Sequence, residues 1–148
     1  MVKPLPERGC ALCFDFGEKR IGVAVGDLDT RIAHPLTTLV TNTRNARFEA
    51  IANLVRQWQP VIFVVGLPSH NDGGKHEIAI RAQKFANQLN GRFNLPFYFE
   101  NEEFTSVEAA DTLHKEGIFG TRHREVIDQA AAQLILQGFF NHLPEHKF

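Results

Sequence analysis

The chain has 148 residues, a formal net charge of -1, and 43% hydrophobic against 22% charged residues. That is one domain with a core of its own. Disorder is excluded by the apolar content, and a membrane helix by the lack of any apolar run near 18 residues. Near-neutrality excludes nucleic-acid binding by bulk charge while allowing a basic patch around a small acidic site. With 13 Phe against one Trp and one Tyr, a Phe-rich core is expected.

Residues 1–9 are polar and Pro-containing. They read as a loose leader and not a secretory signal, so a cytoplasmic protein without membrane contact is expected. The domain is expected over 10–143, with a tail at 144–148. Residues 10–16 are an apolar strand, and Gly17 to Arg20 a turn. A second strand, 21–26, places Ile21, Val23 and Val25 on one face and Gly22, Ala24 and Gly26 on the other. The side-chain-poor face allows close backbone approach by a helix or a ligand. A third strand follows at 32–40, and the short connections imply an antiparallel meander.

Residues 44–58 have helical spacing at Phe48, Ile51, Leu54, Val55 and Trp58, and Pro60 ends them. Val61–Val65 is a strand buried on both faces, followed by a turn-rich loop over 66–74. A second helix runs to about Asn90 with Ile78, Phe85 and Leu89 inward and Gly91 as its stop. Residues 96–102 form a fifth strand. Thr105-x-x-Glu108 opens a third helix that ends at Gly117. A last helix over 123–142 carries an inward stripe of Ile127, Ala131, Leu134, Ile135 and Gly138. The order β-β-β-α-β-α-β-α-α predicts an α/β fold: a mixed five-stranded sheet, three strands antiparallel and two parallel, with helices on both faces.

Cys10-x-x-Cys13 invites a redox or zinc reading, but on a strand residues three apart face opposite sides, and no second pair completes a metal site. Reduced, structural cysteines are expected.

Three acids stand out: Asp15 ending the apolar first strand, Glu102 ending the fifth, and Asp128 early in the last helix. Carboxylates beside a core need cations. Three at one end of a sheet suit Mg²⁺ or Mn²⁺. Plainer readings stand beside this one: Asp15 capping the Gly17 turn, Asp128 pairing with Arg124, Glu102 on a solvated strand end. Lys19 and Arg20 follow Asp15 directly. Lys75, Arg81 and Lys84 open the second helix, and Arg122, His123 and Arg124 precede Asp128. Each cluster is either a phosphate contact or a solvated charged face.

Asp15-Phe-Gly-Glu-Lys-Arg-Ile-Gly-Val-Ala-Val25 resembles the opening motif of the bacterial pre-16S rRNA nuclease family, also described as Holliday-junction-resolvase-like. Val64-Val-Gly-Leu-Pro68 with Asp72-Gly73, Glu102-x-x-Thr105-x-x-x-Ala109, and Ile127-Asp-Gln-Ala-Ala131 with Leu134-Ile-Leu-Gln137 are similar to its later motifs, in the same order over about 10–140. The resemblance implies a ribonuclease H-like fold and Asp15, Glu102 and Asp128 as a catalytic triad that holds the metal. It implies a metal-dependent nuclease that trims the 5′ end of precursor 16S ribosomal RNA. Two ions bridging the scissile phosphate, with Asp15 between them, are the expected machinery. This chain departs from the family in Phe16, where Pro is usual, and in Asn101-Glu102-Glu103, where Asp-Glu-Arg is usual. A one-residue slip of the fifth strand would put Glu103 in place of Glu102.

Lys19, Arg20 and Arg124 are the expected substrate contacts, the substrate being structured RNA or branched DNA. A monomer or weak homodimer is expected, a four-way junction favouring the dimer. Two rival classes remain. One is a catalytically silent nucleic-acid-binding module. The other is a phosphotransferase, because the Asp-x-Gly turn also resembles the phosphate loop of actin-like ATPases, which need two such lobes.

Overall fold

The computed structural model describes residues 5–17, 19–67, 73–101 and 120–144, with 73–76 and 120–123 described by backbone alone. The elements in chain order are β1 (Cys10–Asp15), β2 (Arg20–Asp27), β3 (Ala33–Val40), α1 (Arg44–Trp58), β4 (Ile62–Leu67), α2 (Gly73–Phe93), β5 (Phe97–Asn101) and α3 (Gly120–His142). The helix expected over 105–117 lies outside the described residues.

The strand order is β3-β2-β1-β4-β5. The two short connections make β1, β2 and β3 an antiparallel meander. The helical crossovers α1 and α2 return the chain so that β4 pairs parallel to β1 and β5 parallel to β4. Alternation sorts the core into two layers. Leu12, Phe14, Ile21, Val23, Phe63 and Val65 pack with Phe48 and Ile51 of α1 and Phe85 and Leu89 of α2. Ala11, Cys13, Ala24, Ile62 and Val64 pack on the other face with Ala132, Ile135, Leu136 and Phe140 of α3. The expected mixed sheet with helices on both faces is therefore observed. The core is Phe-rich as expected: Phe14, Phe63, Phe85 and Phe140 are among its largest fully buried side chains.

The face of β2 bearing Gly22, Ala24 and Gly26 receives a helix. A Cβ built on Gly22 would overlap the backbone carbonyl of Asp128, and one on Gly26 would come within 2.7 Å of both Ile32 O and the Phe140 ring. Side chains tie the same helix to the sheet. Thr38 Oγ1 donates to Glu125 O at 2.7 Å. Gln137 accepts from Ala33 N at 3.0 Å and donates to Arg31 O at 2.9 Å.

Several boundaries differ from expectation. α1 matches at both ends, with Thr43 accepting from Ala46 N at 3.1 Å and Gln59 left-handed at φ 47°. α2 runs past Gly91 to Phe93; Asn94, at φ 54°, is the left-handed residue after it and donates to Asn90 O at 2.8 Å. Asparagine tolerates that conformation, so glycine was not needed there. Ile78 is 37% exposed, the buried stripe being Ala79, Ala82, Phe85, Ala86 and Leu89. Ile78 falls one position off that stripe, which passes through its neighbour Ala79 at 3% exposure. α3 begins at Gly120 and buries Ala131, Ala132, Ile135, Leu136, Phe139 and Phe140, a stripe rotated from the expected one. A Cβ built on Gly138 would meet the Glu100 side chain at 4.0 Å instead. Part of the expected leader is held, since Leu5 packs on the α3-side core and Gly9 O accepts from Leu28 N at 2.8 Å.

Gly22→Ala should therefore destabilise the fold by about 3 kcal/mol or prevent folding, because backbone faces the new methyl group. Gly91→Ala, with open space around it, should stabilise by about 0.5 kcal/mol. Urea unfolding of both variants checks the pair.

Candidate active site

Asp15 closes β1 at its carboxyl end. Ala11 and Cys13 belong to the α3-side core and Leu12 and Phe14 to the other, so alternation gives Asp15 to the α3 face and Phe16 to the opposite one. Phe16 accordingly packs on Phe85, ring centroids 5.1 Å apart. Across the hairpin Asp15 stands opposite Gly22, the residue on which the Asp128 backbone rests. Two carboxylates from opposite ends of the chain thus reach one place. Both line a cavity of about 310 Å³ with Phe16, Gly17, Lys19 and Arg20.

Arg20 Nε donates to Asp128 Oδ2 at 2.6 Å. Asp128 is 19% exposed and Arg20 37%, so each offsets part of the other's desolvation. Among the described residues this partner comes from β2 and not from Arg124 on the same helix. Because α3 starts at Gly120, Arg124 lies inside the helix, beyond the N–H groups at its start. With Lys19, Arg20, Asn42 and Glu125 it lines an adjoining cavity of about 580 Å³. Lys19 and Arg20 line both cavities, so two of the three expected substrate contacts share the acids' cavity and Arg124 lines the adjoining one.

Glu102 and its rival Glu103 lie outside the described residues. The strand leading to them is described. Tyr98 packs on the α3-side core, and its ring centroid lies 5.7 Å from that of Phe139. Glu100 meets His142 Nδ1 at 3.0 Å. Phe97 packs on the other core. Even-numbered positions of β5 therefore face α3, the face of Asp15 and Asp128.

Among the described residues no three His, Cys, Asp or Glu side chains are grouped to hold a metal ion. Asp15 and Asp128 are two hard oxygen donors in one cavity, a partial set that fits Mg²⁺ or Mn²⁺ and not a thiolate-seeking metal. The cysteines take no part. Cys13 is in the α3-side core, and Cys10 packs on the opposite one. Burial, with a smaller contribution from Asp27, pushes the Cys10 thiol up to about 11, away from thiolate chemistry.

Sequence reasoning missed Arg44 and Arg47, which line a third cavity of about 300 Å³ with Phe16, Arg81 and Lys84. Their i, i+3 spacing at the start of α1 is the available signal, but the apolar stripe of that segment accounts for a helix without them.

The family model described as RuvX, Holliday junction resolvase, matches residues 9–142. The "Putative pre-16S rRNA nuclease" of Neisseria meningitidis (strain FAM18) is 50% identical over 141 residues, covering 95% of this chain and 93% of its own. The protein of the same name from Methylobacillus flagellatus is 51% identical over 136 residues, covering 92% and 93%. Among solved structures, T. thermophilus RuvC in complex with a Holliday junction substrate is similar at a TM-score of 0.54 and 15% identity, covering 90% of this chain and 94% of that one. The likeness to RuvC is one of fold, which is ribonuclease H-like.

A double-mutant cycle of Arg20→Gln and Asp128→Asn should give a coupling of about 1 kcal/mol, the upper range for a partly exposed pair. Urea unfolding of the four proteins measures it. Additive effects would show that the ion pair contributes nothing to stability.

Proposed function

The chain belongs to the RuvX family, described as Holliday junction resolvase, and is about half identical to proteins named as pre-16S rRNA nucleases; from that premise we propose how its site works. The protein is a nuclease, a hydrolase of phosphodiester bonds. Its substrate in this reading is structured RNA, the 5′ end of precursor 16S ribosomal RNA, met in the cytoplasm. The observation that carries the reading is the shared cavity of Asp15 and Asp128 with cations at its rim.

Asp15, Asp128 and Glu102 are the residues that would hold Mg²⁺ or Mn²⁺. Even-numbered β5 residues face α3, and this supports Glu102 over Glu103 as the third ligand. When bound, the metal supplies Lewis acidity at the scissile phosphate and at the attacking water. The water oxygen bonds to phosphorus, the bond to the 3′-oxygen breaks, and that oxygen leaves with a proton. Arg20 fixes the rotamer of the Asp128 carboxylate through Oδ2, which leaves Oδ1 for a cation. Lys19 and Arg124 offer charge to the phosphates on either side of the cut. Arg20 must divide its charge between Asp128 and substrate, so it acts first as a positioning residue.

The family's description as a resolvase favours branched DNA as a second reading, and the same assay separates the two. Asp15→Asn should lower Mg²⁺- or Mn²⁺-dependent cleavage of precursor-like RNA by about 10³-fold while urea unfolding stays that of the native chain. Undiminished cleavage would refute the assignment of Asp15. Faster cleavage of a four-way junction than of structured RNA would transfer the substrate to DNA.

A further inference from the structure

On the other side of the carboxyl end of β1, the cavity of about 300 Å³ lined by Arg44, Arg47, Arg81, Lys84, Phe16 and Phe85 has no part in the mechanism above. α1 contributes two of its cations and α2 the other two, and no acid lines it among the described residues. Glu77 offsets part of this charge from one turn away, accepting from Arg81 at 2.9 Å. The Arg47 guanidinium lies 5.4 Å from the Phe16 ring centroid. Burial and the neighbouring charge of Arg44 hold it below the usual guanidinium range. Like charges gathered over an apolar floor are the arrangement that an added anion relieves.

Phe16 lines this cavity and the Asp15–Asp128 cavity alike. Successive residues at the end of β1 thus serve successive depressions, Asp15 on the α3 face and Phe16 on the α1–α2 face. A nucleic-acid strand laid across this edge can place one phosphate at the acids and a neighbouring one among the arginines. The Phe16 ring between them offers a surface for a sugar or base. Guanidinium groups suit the second phosphate because they grip its oxygens in pairs.

We propose that the Arg44–Arg47–Arg81–Lys84 cavity is a second backbone-phosphate site, taking a phosphodiester group that flanks the scissile one on the same strand. The proposal rests on the nuclease reading of Asp15 and Asp128. It adds to that reading a binding site on the opposite face of the sheet, with Phe16 in its lining.

Three of these cations, Arg44, Arg81 and Lys84, are exposed, so their replacement by glutamine should leave the fold intact. The test compares the full-length wild type with the Arg44→Gln/Arg81→Gln/Lys84→Gln variant. Both are titrated with a fluorescein-labelled single-stranded RNA in EDTA over a range of salt. The variant should bind at least tenfold more weakly, and log K against log salt should become shallower by about 0.7 for each phosphate no longer neutralised. Unchanged affinity and slope would overturn the proposal. Inorganic phosphate or a mononucleotide binding to wild type but not to the variant, with RNA bound by neither, would overturn it in favour of a small phosphorylated ligand. Asp15→Asn is run alongside. RNA binding that depends on the three cations, together with cleavage that survives Asp15→Asn, would uphold this cavity and sink the nuclease assignment of the acids.

Discussion

The backbone of α3 lies on β2 at Gly22 with no room for a side chain between them, and the placement of the site follows from that close approach. Without the Gly22 and Gly26 surface, the helix would have to stand off from the sheet. Asp128 would then be lifted away from Asp15, which is paired with Gly22 across the hairpin. The tight seam brings a carboxylate to the edge of a core, where it needs a cation. Arg20, two residues before Gly22 on the same strand, is positioned to supply one. One short stretch of β2 therefore sets both the height of the helix and the charge that its acid meets.

Much of this was legible in the residues. The alternation of Ile21, Val23 and Val25 with Gly22, Ala24 and Gly26 announced a bare face, and left open whether a helix or a ligand would cover it; a helix does. The order of strands and helices gave the mixed sheet, because short connections can join only antiparallel neighbours and helical ones return the chain in parallel. What the pattern could not supply was position at one-turn resolution. Gly91 looked like a stop, but the left-handed residue is Asn94. The Ile78 position has the right spacing for the core, but the buried stripe passes through its neighbour Ala79 instead.

The site was legible as residue types and illegible as pairings. Asp15 and Asp128 stand out because acids beside apolar stripes demand explanation, and they do line one cavity. Periodicity points to a partner for Asp128 four residues back on its own helix. The partner comes instead from a strand far away in sequence, a pairing that no local spacing encodes. Arg44 and Arg47 were hidden by a stronger signal, since the apolar stripe of α1 explains the segment without them.

The distribution of charge reconciles a chain of net charge -1 with a polyanionic substrate. Bulk attraction is absent, so binding depends on where the cations stand. Lys19 and Arg20 border the acids and Arg124 the adjoining cavity, while Arg44, Arg47, Arg81 and Lys84 line a separate one. In the proposed reading the acids alone would repel a phosphate, and cations within a Debye length of roughly 8 Å would offset that repulsion. In the proposed reading the two acids would hold a divalent cation while the cations at the rim would hold the strand, and neither task requires the chain as a whole to be basic.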